Sequence, residues 1–371
     1  MEPETSLRRG WTTGACATAA AKAAYTALLT GQFPDPVEIT LPGGARVGFA
    51  LAEWGLHGAN ATAGVVKDAG DDPDVTHGAL LRATLTPGLP GSGVVFRAGP
   101  GVGTLTRPGL ALPPGEPAIN PVPRRMIIAA IDEVAVSLGG SRRDVMVEIS
   151  IPGGEILAQR TLNARLGILG GLSVLGTTGI VIPYSCSAWI HSIHRGIDVA
   201  RAAGLAHIAG STGNNSERAI RALHSLPDMA LIEMGDFVGG MLKYIKTHPV
   251  ARITLAGGVA KMTKLAQGRL DLHSKRGEVD LPALASLAGQ AGCGAEIVAR
   301  ILAANTAAQA YALAGGEDNA LGDAVAALAW QVAAGVLAPA AVALEVVLFD
   351  REGACVGHAP FQPVHARNLR V

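Results

Sequence analysis

Apolar positions along the chain recur in two different rhythms. Up to about residue 160, helical stretches of small apolar residues alternate with strands of period two. A helix predicted over residues 14–30 leads into Val37-Glu38-Ile39-Thr40-Leu41-Pro42-Gly43-Gly44, and a second over residues 124–138 leads into Val147-Glu148-Ile149-Ser150-Ile151-Pro152-Gly153-Gly154. Helix, alternating strand and Pro-Gly-Gly turn thus occur twice, which predicts a two-layer α+β domain over residues 1–160 with an internal, pseudo-symmetric duplication. Val65-Val66 and residues 80–85 read as further buried strands.

Beyond about residue 165 the rhythm changes. His207-Ile208-Ala209-Gly210, residues 230–235 and residues 252–257 are short apolar runs, each passing through glycine or small polar residues into a helical pattern over 215–223, 237–247 and 259–267. Strand, glycine turn and helix repeated three times predict an α/β, Rossmann-like domain with a mostly parallel sheet over residues 161–371. Residues 281–334 read as helical and 343–349 as a closing strand.

Composition narrows the class. Hydrophobic residues make up 49% of the 371 positions, enough for a core in each part. Two uncharged stretches, 166–183 and 324–344, have the length of a membrane span. Five glycines interrupt the first, and Gln331 and Pro339 the second, so both are read as buried core. Lys plus Arg is 30 and Asp plus Glu is 30, which leaves no global field for a polyanion, and neither nucleic acid nor membrane is an expected partner. Cys16, Cys186, Cys293 and Cys355 lack any CxxC spacing, which argues against a zinc site or a disulfide framework. With no apolar leader run, a cytoplasmic location is expected.

Within a chain of only 16% charged residues, the run Lys67-Asp68-Ala69-Gly70-Asp71-Asp72-Pro73-Asp74-Val75-Thr76-His77-Gly78 concentrates four aspartates. Like charges this close must be solvated, pinned by N–H donors, or turned toward a cation or a proton-transfer partner. Asp68, Asp71, Asp72, Asp74 and His77 are therefore the candidate catalytic set. The distal glutamate of an EF-hand is missing, so calcium is not the reading.

Ligands of parallel sheets bind at the carboxyl ends of the strands. That directs attention to Gly210, Ser211, Thr212, Gly213 and Asn214, to Glu233 and Asp236 about twenty residues further on, and to Gly257 and Gly258. Glycines admit close backbone approach, a helix start presents free N–H groups, and an acid after the next strand suits a ribose, so an adenosyl cofactor is expected. Gly99-Pro100-Gly101-Val102-Gly103 lacks a strand–helix frame and reads as a tight, ligand-facing turn. His191 and His194, spaced i, i+3, raise a metal only weakly, and no resident metal is expected.

Several long motifs resemble one family. Thr12-Thr13-Gly14-Ala15-Cys16-Ala17, the whole 67–78 run, Pro108-Gly109-Leu110, the segment from Gly115-Glu116-Pro117 to Arg124, Leu166-Gly167-Ile168-Leu169-Gly170-Gly171, Leu175-Gly176-Thr177-Thr178-Gly179, and Lys261 with Lys264-Leu265-Ala266 are similar to the cobalt-precorrin-5B methyltransferases, in order and over nearly the whole chain. The resemblance implies S-adenosyl-L-methionine-dependent methylation of ring carbon one of a ring-contracted tetrapyrrole, cobalt-precorrin-5B, to give cobalt-precorrin-6A in cobalamin biosynthesis. The chain departs from the family pattern at Ala164, where a proline is expected, and at the less acidic Ser187-Ala188-Trp189.

Methyl transfer from a sulfonium is an in-line displacement that asks for alignment and proton management rather than a covalent nucleophile. A substrate rich in acetate and propionate asks for cations. Arg124, Lys261 and Lys264 are the candidates, with Arg107, Arg125 and Arg165 behind them, and Thr12 and Thr13 are assigned to the substrate with their motif. A non-catalytic corrinoid carrier, and an α/β enzyme using another adenosyl ligand, remain open alternatives, although the phosphate-binding GxxxxGK[ST] is absent. A homo-oligomer is equally open.

Overall fold

In the computed structural model, which describes residues 7–140, 144–314 and 319–364, Thr12 has extended backbone and its side chain accepts from Ala15 N, capping the first helix. Gly31 ends that helix in the left-handed conformation. The chain divides into two units, Met1–Ser185 and Cys186–Val371.

The first unit runs β1 (Gly10–Trp11), α1 (Thr13–Thr30), β2 (Val37–Thr40), β3 (Arg46–Phe49), β4 (Glu53–His57), β5 (Asn60–Val66), β6 (Leu80–Pro87) and β7 (Val94–Ala98). It continues through β8 (Gly101–Val102), β9 (Thr104–Leu105), α2 (Pro121–Ser137), β10 (Val145–Ser150), α3 (Gly154–Ala158), β11 (Ile168–Leu169), β12 (Gly171–Leu172) and β13 (Ile180–Val181). A five-stranded sheet has the order β4-β5-β6-β10-β7, antiparallel except for the parallel pair β10–β7. Alternation does the sorting: Leu81, Ala83 and Leu85 of β6 and Val145, Val147 and Ile149 of β10 enter one core with Ile127 and Ile131 of α2. Helix α1 adds alanines to that core, whose small side chains let the helix lie close on β5 and β6. The result is a two-layer α+β unit.

The expected duplication does not survive in three dimensions. Strand β2 pairs only with β3, and Pro42-Gly43-Gly44 turns the chain back between them. Strand β10 lies inside the five-stranded sheet, and Pro152-Gly153-Gly154 opens α3 instead. The two copies share a strand ending and nothing of the pairing. The boundary also moves, from residue 160 to Ser185. Residues 161–185 return to the first unit, where β11 pairs β9, β12 pairs β8 and β13 pairs β1. Gly171 lets that return happen: a Cβ there would overlap the Gly101 backbone, which itself lies against Ile151 O. The Gly99–Gly103 run is thus an interior crossing of backbones rather than a ligand-facing turn.

The second unit contains α4 (Cys186–Ala202), β14 (His207–Ser211), α5 (Asn214–His224), β15 (Leu231–Glu233), α6 (Val238–Thr247), β16 (Arg252–Gly258) and α7 (Val259–Ala266). It ends with α8 (Leu281–Gln290), α9 (Ala295–Leu302), α10 (Ala307–Ala314), α11 (Ala320–Leu337), β17 (Ala343–Phe349) and β18 (Cys355–Pro363). The sheet order is β15-β14-β16-β17-β18; the first four strands are parallel and β18 runs against them. Both faces are covered, which is why these strands read as continuous apolar runs. Ile208, Ile253, Leu255, Val346 and Leu348 join the large core with α4, α6, α7, α8 and α11. Ala209, Ala256, Val347 and Phe349 meet Ile220 of α5 on the other face.

Helix α11 is long and apolar enough to cross a membrane by composition. Here it packs on the sheet: Trp330 Nε1 donates to Leu344 O at 2.8 Å, and Gly322 lies directly against the backbone of β18 at Val356 and Gly357. A Cβ at Gly322 would overlap Val356 O. Gly322→Ala must push helix from strand and should cost about 1–3 kcal/mol; an unchanged urea midpoint would show that the contact has slack.

Candidate functional site

Two sets of loops carry the candidate chemistry, one in each unit. In the first unit, the acidic loop between β5 and β6 is crossed by the strand that leads into β1. Gly10 lies against the Ala69 backbone, where any Cβ would overlap it, and Trp11 N donates to Asp68 O at 2.7 Å. Each aspartate then has a specific partner. Asp68 takes the Arg8 guanidinium on both oxygens and also accepts from Gly70 N at 2.9 Å. Asp71 accepts from Arg8 N at 2.6 Å, and Asp72 from Tyr184 N at 2.8 Å. Asp74 accepts from Lys67 Nζ and from both Thr76 N and Thr76 Oγ1, each at 2.7 Å. Lys67 itself is almost wholly buried, at 1% exposure.

Asp68 and Asp74 are held ionised. The Arg8 hydrogen bond and the Gly70 amide pull Asp68 down to about 2. Asp74 is also lowered, its Lys67 and Thr76 contacts outweighing the opposing effect of burial. A carboxylate so stabilised is a poor proton carrier near neutrality, and each of the four aspartates also holds the loop through its contacts. His77 differs. Its Nδ1 accepts from Ala69 N at 3.1 Å, which fixes the neutral ring with its proton on Nε2, and its side chain is half exposed. Arg8, Lys67 and Tyr184 are the partners that the sequence reading missed; they lie outside or at the edge of the motif, and only the acidic surplus hinted that cations were needed.

In the second unit, the loops after β14, β15 and β16 converge. Thr212 N donates to Ala256 O at 3.0 Å, while Met234 N and Gly235 N both donate to Ser211 O, so the end of β14 is sewn to both neighbours. Beyond it the chain leaves into α5 through Gly213 and, from β16, into α7 through Gly258, and neither helix start has a side-chain cap. A Cβ at Gly213 or Gly258 would meet nothing within 4 Å. Gly210 and Gly257 are different, because a Cβ on either would strike Met241 or Met262. They are packing positions beneath the site. Ser211 is likewise interior, its hydroxyl directed to Glu217 at 3.5 Å.

Lys261 Nζ donates to Thr212 O at 2.8 Å and lies 3.0 Å from Asp236 Oδ1. That second distance is an ion-pair contact without hydrogen-bond alignment, so Asp236 Oδ1 is buried and short of a donor. Trp189 Nε1 donates to the Glu233 carbonyl at 3.2 Å, and its ring stands over Gly235 as a half-exposed aromatic plate. The sequence reading met Trp189, which arrives from α4, only within a segment departing from the family pattern. Two uncapped helix starts, a carboxylate lacking donors and an aromatic plate can hold a ligand with an anionic group, vicinal hydroxyls and a flat ring.

The other expected residues are committed to structure. Thr12 caps α1, and Thr13 Oγ1 accepts from Leu175 N at 2.8 Å; both are buried. Arg124 donates to Ile119 O and Pro117 O, pairs with Glu116 at 2.8 Å and lies over Phe96. Lys264 is buried and donates to Leu272 O. Lys261 belongs to the loop cluster of the second unit. His191 and His194 extend an aromatic stack, His194 lying 3.9 Å from Tyr244, rather than converging on a metal.

Comparison with known proteins follows the same two parts. Residues 1–183 match the CbiD family and residues 271–360 the CbiD C-terminal domain. A cobalt-precorrin-5B C(1)-methyltransferase from Bradyrhizobium sp. (strain BTAi1) is 65% identical over 351 residues, 95% of this chain and 93% of the relative. One from Agrobacterium fabrum is 61% identical over 360 residues, 97% and 95% of the respective chains. A crystal structure of a cobalamin biosynthesis protein (cbiD) from Archaeoglobus fulgidus has 28% identity and a TM-score of 0.39, over 68% of this chain and 77% of that one.

Two outcomes follow from the acidic loop. Asp74→Ala strands the buried Lys67 ammonium and should cost about 3–5 kcal/mol, whereas replacing both partners by leucine or methionine should cost far less; a single-variant loss under about 1 kcal/mol in urea melts, far below that range, would disprove the buried pair. Asp68 has a folded pKa of about 2 against an ordinary aspartate value of 3.8. Its contribution is therefore complete above pH 4 and disappears as pH falls through about 2. Asp68→Asn should lower stability at pH 6 and flatten this acid limb, read as urea midpoints against pH.

Proposed function

The chain belongs to the CbiD family, whose curated relatives are named cobalt-precorrin-5B C(1)-methyltransferase, and it is a C-methyltransferase of cobalamin biosynthesis; we propose that its methyl donor is S-adenosylmethionine, held at the carboxyl ends of β14 and β16. The single observation that carries this reading is the strand order. With β15 on one side of β14 and β16 on the other, the chain reverses its direction of sheet growth at β14, and Rossmann-like sheets bind ligands at that reversal. Gly213 and Gly258, the two residues whose Cβ positions are open, stand there.

The residues fit the donor by chemistry. The amide groups at the start of α5, from Asn214 onward, and those at the start of α7 suit its carboxylate. Asp236, short of a donor, suits the ribose hydroxyls, and Trp189 suits the adenine face. Lys261 pairs with Asp236 and ties α7 to the β14 loop. The bound donor supplies an electrophilic methyl on a sulfonium. Asp236 offers the negative charge that favours a cationic donor, and the converging loops fix its direction. In the first unit we assign proton handling to the His77 Nε2–H and anchoring to Asp68, Asp71, Asp72 and Asp74. Arg125, exposed on α2, is our candidate for a carboxylate of the tetrapyrrole cobalt-precorrin-5B.

Calorimetry with S-adenosylhomocysteine tests the donor site. Gly213→Trp should abolish binding while leaving the unfolding midpoint intact, because the position faces open space. Binding of ATP in preference to S-adenosylhomocysteine, or unchanged affinity in the variant, would move the donor elsewhere.

A further inference from the structure

At the far end of α5 from Gly213, a second set of polar groups converges inside the same unit. Glu345 points from β17 into the face covered by α5, and its side chain is only 4% exposed. His224, the last residue of α5, meets Glu345 Oε2 through Nε2 at 2.6 Å. Thr254 Oγ1 of β16 donates to the same oxygen at 2.6 Å and receives His207 Nε2 of β14 at 2.8 Å. His358 Nε2 of β18 lies 2.9 Å from Glu345 Oε1. Three imidazoles drawn from a helix and two strands thus surround one buried carboxylate. The ion pairs of Glu345 among the described residues are made with histidines, whose charge is conditional, and with neither lysine nor arginine.

We propose that His207, His224 and Glu345 form a binding site for a divalent transition-metal ion of the zinc type. Ring nitrogens of the two histidines and a carboxylate oxygen of Glu345 lie within 4.8 Å of one another. Tetrahedral zinc with bonds of about 2.0–2.1 Å needs ligand atoms about 3.3 Å apart, so the contact at 2.6 Å opens slightly and the wider ones close. His207 reaches the cluster from β14 through the Thr254 hydroxyl that it shares with Glu345. His358, on the second carboxylate oxygen, orients Glu345, and solvent takes the fourth position. A set of two nitrogens and one oxygen favours zinc, cobalt or nickel over magnesium or calcium. Binding through one ring nitrogen would leave the proton of each neutral imidazole on its other nitrogen and fasten the end of α5 to β14 and β17.

The test uses the full chain stripped with EDTA and titrated with Zn²⁺ by calorimetry, with Co²⁺ absorption as the probe of coordination. The expected result is one saturable site per chain, a higher melting temperature and intense tetrahedral Co²⁺ bands, with no response to Mg²⁺. His224→Gln and Glu345→Gln should each weaken Zn²⁺ binding by more than the roughly 10–100-fold that a supporting group is worth, and His358→Gln by about 10-fold. His224→Gln lies at a partly exposed helix end, so it reports on binding even if Glu345→Gln fails to fold. Absence of saturable Zn²⁺ binding in the wild type, or unchanged affinity in His224→Gln, would overturn the site and leave a hydrogen-bonded network.

Discussion

A carboxylate withdrawn from water must find donors or a counter-charge inside the fold, and this requirement organises both units. The cost of an unmet charge exceeds that of bending a loop around a partner. In the first unit the loop therefore closes on Lys67, Arg8 and Tyr184 N. In the second, Asp236 draws Lys261 across from α7, and Glu345 gathers histidines from α5 and β18.

This division of labour separates rigid support from exposed chemistry. The loops proposed for the donor owe their positions to a sheet buried on both faces, with methionines packed under Gly210 and Gly257. What remains open above that floor is mostly backbone: two helix starts and two glycines. Such a site discriminates by the direction of amide dipoles and the placement of one carboxylate, which suits a reaction that depends on alignment.

Fold was more legible in the sequence than site. Period-two burial in β6 and β10, and the three apolar runs that became β14, β15 and β16, carry the layer structure in neighbouring residues and could be read directly. The return of residues 161–185 to the first unit could not, since it depends on Gly101 and Gly171 touching across a long separation. The same limit governs the site residues. Sequence identifies an aspartate but not its partner. The four acids drew attention for their repulsion, and the fold resolves that repulsion with Arg8 and Tyr184, which lie at the two ends of the unit. Arg124 and Lys264 carried the right charge for an anionic substrate, but nearby carbonyls and Glu116 had first claim on them.

The strand pairing of Gly10 with Val181, together with Asp72 receiving Tyr184 N, means that the first unit is fastened by its own two ends. During synthesis its hairpins can pair as they leave the ribosome, since their partners are neighbours in the chain. The acidic loop cannot. Its clasp becomes available only after the residues around 184 have emerged, when the first strands have long been exposed. The nascent chain must therefore carry Asp72 without its Tyr184 partner until the first half of the protein is made, whereas Arg8 and Lys67 are at hand for Asp68, Asp71 and Asp74 as soon as the loop emerges.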